Sequence, residues 1–148
     1  PALTIALTGA SGFIGSSLVP FLTIQGHKVI SLVRSQPKKQ GEVFWDPKST
    51  KVIPELNGVD AVIHLAGENI ASGRWTEEKK QKLRMSRVNG TRSVSYALSN
   101  LEQKPKVFIS ASATGFYGDR GDELLTEESG RGTGFLAEIA EEWEAETK

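Results

Sequence analysis

Apolar positions along this chain alternate between short unbroken runs and longer spaced ones, and the two patterns predict different elements. Leu3–Thr8 (LTIALT) is short, apolar and β-branched and runs into Gly and Ser, which predicts a buried strand entering a turn. Phe13–Gln25 then sets Phe13, Ile14, Leu18, Phe21 and Leu22 along one helical face, with Gly26 as the stop. Lys28–Val33 (KVISLV) reads as a second strand, and Val43–Trp45 as a short third one ended by Asp46–Pro47. Asp60–Ala66 (DAVIHLA) is hydrophobic enough to be covered on both faces. Thr76 is a helix cap with Glu77 and Glu78 in the first turn behind it, and the polar helix it opens reaches about Asn100. Its buried stripe is Leu83, Val88, Val94, Ala97, Leu98 and Leu101. Val107–Ser110 is the next strand, and Gly134–Thr147 a final helix with Phe135, Ile139 and Trp143 spaced four apart.

Strands and helices in this order predict an α/β fold, a Rossmann-type doubly wound sheet that is mostly parallel. Two irregular stretches, 67–75 and 111–133, both follow the carboxyl ends of strands. Open α/β sheets bind their ligands there, and loops of that length in a compact domain are often functional.

Composition narrows the chemistry. With no Cys and only His27 and His64, the 148 residues leave no means for a disulfide scaffold, a thiolate or multi-histidine metal site, or a cysteine nucleophile, so no metal is expected. Eighteen basic and 18 acidic residues balance, which argues against nucleic acid or an anionic membrane as partner. The balance is a sum of opposites: residues 1–118 carry 15 basic and 8 acidic side chains, residues 119–148 carry 3 and 10. Positive charge in the first part suits an anionic small ligand; the acidic tail reads as solvated helix surface. No apolar run reaches transmembrane length and the start has no signal-peptide form, so a cytoplasmic protein is expected.

The strongest chemical signal is Thr8–Gly15, TGASGFIG, between the first strand and the first helix. Gly9 suits the tight turn, Gly12 the approach of backbone to a pyrophosphate, and Gly15 close helix–sheet contact. The amides of the helix start would meet the phosphate charge, so Gly9, Ser11, Gly12, Phe13, Ile14 and Gly15 form the predicted cradle. At the end of the second strand, where an NAD site carries an acid, the chain reads LVRSQPKK. Arg34 there fits a 2′-phosphate, which favours NADP(H) and leaves NAD(H) as the alternative. Lys38 and Lys39 read as an exposed basic loop.

The strings TGASGFIGSSLVPFLTIQGHKVISLVR, DAVIHLAGENIA, GRW and ISASATGFYGDRGD resemble the extended or atypical short-chain dehydrogenase/reductase superfamily. Within it the chain is similar to the small epimerase-like family often labelled nucleoside-diphosphate-sugar epimerase. The resemblance implies cofactor contact along Leu65, Ala66, Gly67 and Glu68. It also implies a small-molecule substrate, a nucleotide sugar among the choices, and hydride transfer at a carbonyl or carbinol carbon. Ser112 matches the superfamily's catalytic serine, with Thr114 as a neighbouring alternative, and Asn89 resembles its helix asparagine. Where the superfamily places Tyr-x-x-x-Lys, this chain reads TGFLAEIAEEWE, with Phe135 and Ile139 four apart and no Tyr.

Proton transfer needs a titratable group in reach of the reacting oxygen. Tyr117 is one such group if its loop turns it inward; ring packing is the other reading of it. Asn89 has a solvent-facing reading, and Trp75 reads equally as pocket lining or as packing at the helix start. His64, inside an apolar strand, reads as a core histidine. The competing functional class is a non-catalytic NADP(H)-binding or regulatory protein that lacks the relay. Extended superfamily members are about twice as long, so residues 1–148 are expected to be the amino-terminal, cofactor-binding portion, without the substrate-binding part.

Overall fold

A computed structural model describes residues 1–148. Five strands, β1 (Thr4–Thr8), β2 (Lys28–Val33), β3 (Glu42–Phe44), β4 (Ala61–His64) and β5 (Val107–Ser110), form one sheet in the order β3-β2-β1-β4-β5. Every pairing is parallel, with Ala6 level with Ile30 on one side and Val62 on the other. The helices are α1 (Phe13–Ile24), α2 (Glu77–Ser99) and α3 (Phe135–Ala145). Strand order reverses between β1 and β4, which is the switch point where doubly wound sheets open a ligand crevice. The fold is therefore a Rossmann-like α/β sheet.

One sheet face is dry. Ala6, Ile30, Leu32 and Val62 point towards Val94, Ala97 and Leu98 of α2, and all seven are buried in one cluster. The whole stripe predicted for α2, from Leu83 to Leu101, is buried. Trp45 joins this core with its polar end satisfied: indole Nε1 donates to Ser93 Oγ at 3.0 Å, and the Ser93 hydroxyl donates to the Asp46 carbonyl at 3.1 Å. A buried indole N–H needs such a partner.

The other face departs from the sequence expectation. Of α1 only Gly15 is buried, while Phe13 is 95%, Ile14 61% and Phe21 58% exposed. In the run expected to be covered on both faces, Val62 and His64 are buried while Ala61 and Ile63 are only partly so, and Val107 and Ile109 of the neighbouring β5 lie half open. The physical reason is layering: chain reversal at β1 sends α1 and α2 to opposite faces, and only α2 gains a second helix, α3, beside it. Smaller corrections concern element ends: the third strand is Glu42–Phe44, β4 spans four residues, and short 3-10 turns occupy Pro54–Leu56 and Thr114–Tyr117. No helix is long and apolar enough to cross a membrane.

The N-terminus of α2 is built as its sequence indicates. Thr76 is extended and its Oγ1 accepts from the Lys79 amide at 3.1 Å, satisfying one of the four unpaired amides of the first turn. Thr76→Ala is expected to cost about 1 kcal/mol, read as a lower denaturation midpoint with unchanged slope.

Candidate functional site

The site begins at the tip of β1. Gly9 has φ +71°, and a Cβ there would sit 2.8 Å from the Ala66 amide nitrogen. At Gly15 a Cβ would lie 2.1 Å from the Gly9 carbonyl oxygen, so α1 starts hard against the turn. Gly12 differs: it is extended, with φ −76°, and its nearest neighbour to a Cβ is at 3.4 Å. The protein's own packing does not require glycine at that position, and Gly12 lines the cleft that runs from this turn. Gly12 also caps α1 without a side-chain bond, so the first-turn amides of Phe13, Ile14 and Gly15 have no acceptor from a cap side chain.

A long open cleft runs from this turn across the carboxyl edge of the sheet. Gly9–Gly12, Arg34 and Ser35 after β2, and Leu65–Glu68 after β4 line it, with Lys82 and Asn89 on the α2 side. The structure thus brings the predicted turn, Arg34 and the segment after β4 into one cavity. Phe13, Ile14 and Gly15 lie outside its lining, the first two with exposed side chains and Gly15 buried; any part they play is through backbone amides.

Hydrogen bonds fix the segment after β4. The amides of Leu65 and Ala66 both donate to Thr8 Oγ1, at 3.0 and 3.1 Å. With its oxygen occupied in this way, the Thr8 hydroxyl donates its own proton to His64 Nδ1 at 2.6 Å. The ring proton then sits on Nε2 and is donated to Thr91 Oγ1 at 3.0 Å. His64, fully buried, joins the tips of β1 and β4 to α2, and burial depresses its pKa to about 4. Further along, the Glu68 amide donates to Ser86 Oγ at 3.0 Å, and its carbonyl accepts from Arg87 Nη1 at 2.9 Å. The Glu68 carboxylate takes a hydrogen bond from Lys79 Nζ at 3.2 Å, which with the positive charges of Lys79, Lys82 and Arg34 holds its pKa below the usual carboxylate range.

The predicted catalytic residues are more scattered. Asn89 lines the cleft, donating to Met85 Sδ at 3.3 Å. Ser112 is exposed just beyond β5, outside that lining, and its hydroxyl donates to Glu144 Oε1 at 2.6 Å. Tyr117 closes the 3-10 turn, its ring edge-on to Phe116 with centroids 5.3 Å apart. Where the superfamily's tyrosine would stand, Phe135 packs edge-on to Trp75 at 5.8 Å, beneath Lys80 and Arg84. Ile139, at the lysine position, is buried. Trp75 is 40% exposed, with its indole N–H donated to the Ile70 carbonyl at 2.9 Å.

Two residues that sequence reasoning passed over hold the site together. Arg87 binds the Glu68 carbonyl and stacks on Trp143 at 5.2 Å, clamping the segment after β4 to α3. Glu144 meets Ser112. Neither stands out from its neighbours in sequence, since Arg87 is one of many bases on α2 and Glu144 one of many acids in the tail.

The model of the NAD dependent epimerase/dehydratase family matches residues 5–135. The chain belongs to that family. An epimerase family protein of Mycobacterium leprae is 40% identical over 144 residues, covering 97% of this chain and 46% of that protein. Among solved structures, a nucleoside-diphosphate sugar epimerase from Corynebacterium glutamicum is similar at 43% identity and TM-score 0.83, over 99% of this chain and 30% of that one. The human epimerase family protein SDR39U1, solved with NADPH, is similar at 28% identity and TM-score 0.88, over 99% of this chain and 49% of that one. The chain spans about half the length of the curated relatives it matches.

Proposed function

We propose that this chain is the NADP(H)-holding part of an epimerase-like oxidoreductase that works at a carbonyl or carbinol carbon of a small molecule. One observation carries the reading: a glycine turn with open helix amides and a guanidinium at the end of β2 face the same cleft. The turn from Gly9 to Gly15 receives the pyrophosphate, Arg34 the 2′-phosphate, and Leu65–Glu68 the length of the dinucleotide between them. NADPH in the human relative's structure supports the cofactor, and the likeness to the nucleoside-diphosphate sugar epimerase from Corynebacterium supports a nucleotide sugar among the substrates.

When bound, the dinucleotide supplies or accepts a hydride. The chain's own residues bind, orient and manage the proton. Ser112 meets the substrate oxygen, Asn89 supports the α2 wall of the cleft, and the Tyr117 hydroxyl is a second proton-transfer candidate that Tyr117→Phe tests. A binding protein without turnover is the second reading, favoured by Phe135 and Ile139 at the relay positions.

Titration of the purified protein with NADPH and NADH checks the cofactor assignment, and absence of saturable binding to either would sink it. Arg34→Ala is expected to weaken NADPH about tenfold or more while leaving NADH nearly unchanged, since only the 2′-phosphate loses its partner. Equal losses for both would remove Arg34 from the specificity role. Turnover with a panel of carbonyl compounds and nucleotide sugars separates enzyme from binder.

A further inference from the structure

We infer that Ser112 and Glu144 form a two-residue proton relay that takes over the task of the absent Tyr-x-x-x-Lys pair. The inference rests on the proposed hydride-transfer function and deepens it.

Place comes first. His64 is level with Ser110 in the parallel ladder, and the Ala111 amide donates to the His64 carbonyl at 2.9 Å. That register sets Ser112 two residues past the last pair of the ladder, on the carboxyl side of the sheet, as Ala66 is after β4. Opposite it, α3 delivers a carboxylate: the Ser112 hydroxyl donates to Glu144 Oε1 at 2.6 Å, the short distance of a bond to an ionised acceptor.

Charge pairing around α3 singles Glu144 out. Arg84 of α2 binds Glu138 and Glu142, Arg131 binds Glu141, and Arg92 of α2 binds Glu146. Arg87, also on α2, is engaged with Trp143 and the Glu68 carbonyl. Among these five carboxylates Glu144 alone has no cation in contact; its partner is the serine. The 3-10 turn that carries Tyr117 also packs on α3, and Lys148 follows the helix. A carboxylate oxygen that meets a hydroxyl and no guanidinium is placed to exchange a proton with that hydroxyl.

The chemistry balances. In the oxidative direction the substrate O–H breaks and C–O becomes C=O. The substrate proton moves to Ser112 Oγ as the serine's own proton moves to Glu144 Oε1. The C–H hydrogen leaves with its electron pair to the oxidised nicotinamide dinucleotide. Reduction reverses each transfer. Ser112 is the catalytic residue, and Glu144 acts through it as its positioning residue and proton store.

The test uses the whole protein that carries this chain, with NADPH and phenanthrenequinone as the carbonyl probe. In Glu144→Gln, kcat is expected to fall about a hundredfold, with KM and NADPH affinity within about twofold of wild type. Glu144→Asp should restore part of the rate. Glu141→Gln, whose partner is Arg131, should match wild type. Independently of turnover, the carboxyl-carbon NMR resonance of Glu144 should move in Ser112→Ala. An unmoved resonance, or a Glu144→Gln variant with wild-type kcat, overturns the relay. A wild type that fails to bind NADPH overturns instead the cofactor reading beneath it.

Discussion

Gly15→Ala is expected to be among the most damaging single substitutions in this chain. The added methyl would stand 2.1 Å from the Gly9 carbonyl and 2.8 Å from Ala10 Cα, both backbone atoms that no side-chain rotation can clear. Relief requires α1 to lift from the turn or the turn to leave its place against Ala66. Forcing volume into such contact costs about 3 kcal/mol. The displaced amides also lose their convergence, so NADPH affinity should fall about tenfold or more. Denaturant titration and NADPH titration read the two effects separately. Gly12→Ala provides the contrast. Its methyl meets only ordinary contact at 3.4 Å, so it should leave stability nearly unchanged while weakening NADPH. Equal stability losses at the two glycines would overturn the division between a packing glycine and a ligand-facing one.

Acid is expected to unfold the protein through His64. Its pKa is about 4 in the fold, against about 6.5 when the chain is unfolded. A group whose folded pKa is depressed contributes its full stability above the unfolded value. Between pH 6.5 and about 4 the unfolded chain takes up a proton that the fold refuses, so stability declines as pH falls. The loss is at most about 1.4 kcal/mol per pH unit, or about 3 kcal/mol in all. Burial is the cause: an imidazolium enclosed between Thr8 and Thr91 would lose its water. Stability measured by denaturant from pH 7 to pH 4 checks the slope. His64→Leu should flatten this limb while lowering stability at neutral pH, because the Thr8 and Thr91 hydroxyls lose their buried partner. A wild-type slope retained in that variant would assign the acid limb to other groups.

Much of the architecture was legible in the chain itself. β2 and β5 fall on their predicted residues, Thr76 caps α2, and the stripe from Leu83 to Leu101 is buried. These features are local: a run of β-branched residues, a cap and a 3.6-residue period need only near neighbours to express themselves. The glycine turn was legible for the same reason, since its strand and helix flank it directly. The face of α1 was not. Phe13, Ile14 and Phe21 have helical spacing, but whether such a stripe is buried depends on what lies across from it, and no helix of this chain packs there.

The candidate site divides along the same line. Sequence alone determined the type of residue at each strand end: glycines after β1, a base without an acid after β2, Leu65–Glu68 after β4, and a serine after β5 with no Tyr-x-x-x-Lys to follow. Tertiary structure alone decided which of these share a cavity and which long-range partners complete them. Thr8, His64 and Thr91 come together across 83 residues of chain, Arg87 reaches Glu68 from 19 residues away, and Glu144 reaches Ser112 from 32. A periodicity reports which side of its own element a residue occupies. Only the packing of one element on another brings a carboxylate to a hydroxyl, because their separation is set by where α3 packs on α2 and the 3-10 turn and not by any spacing in the chain.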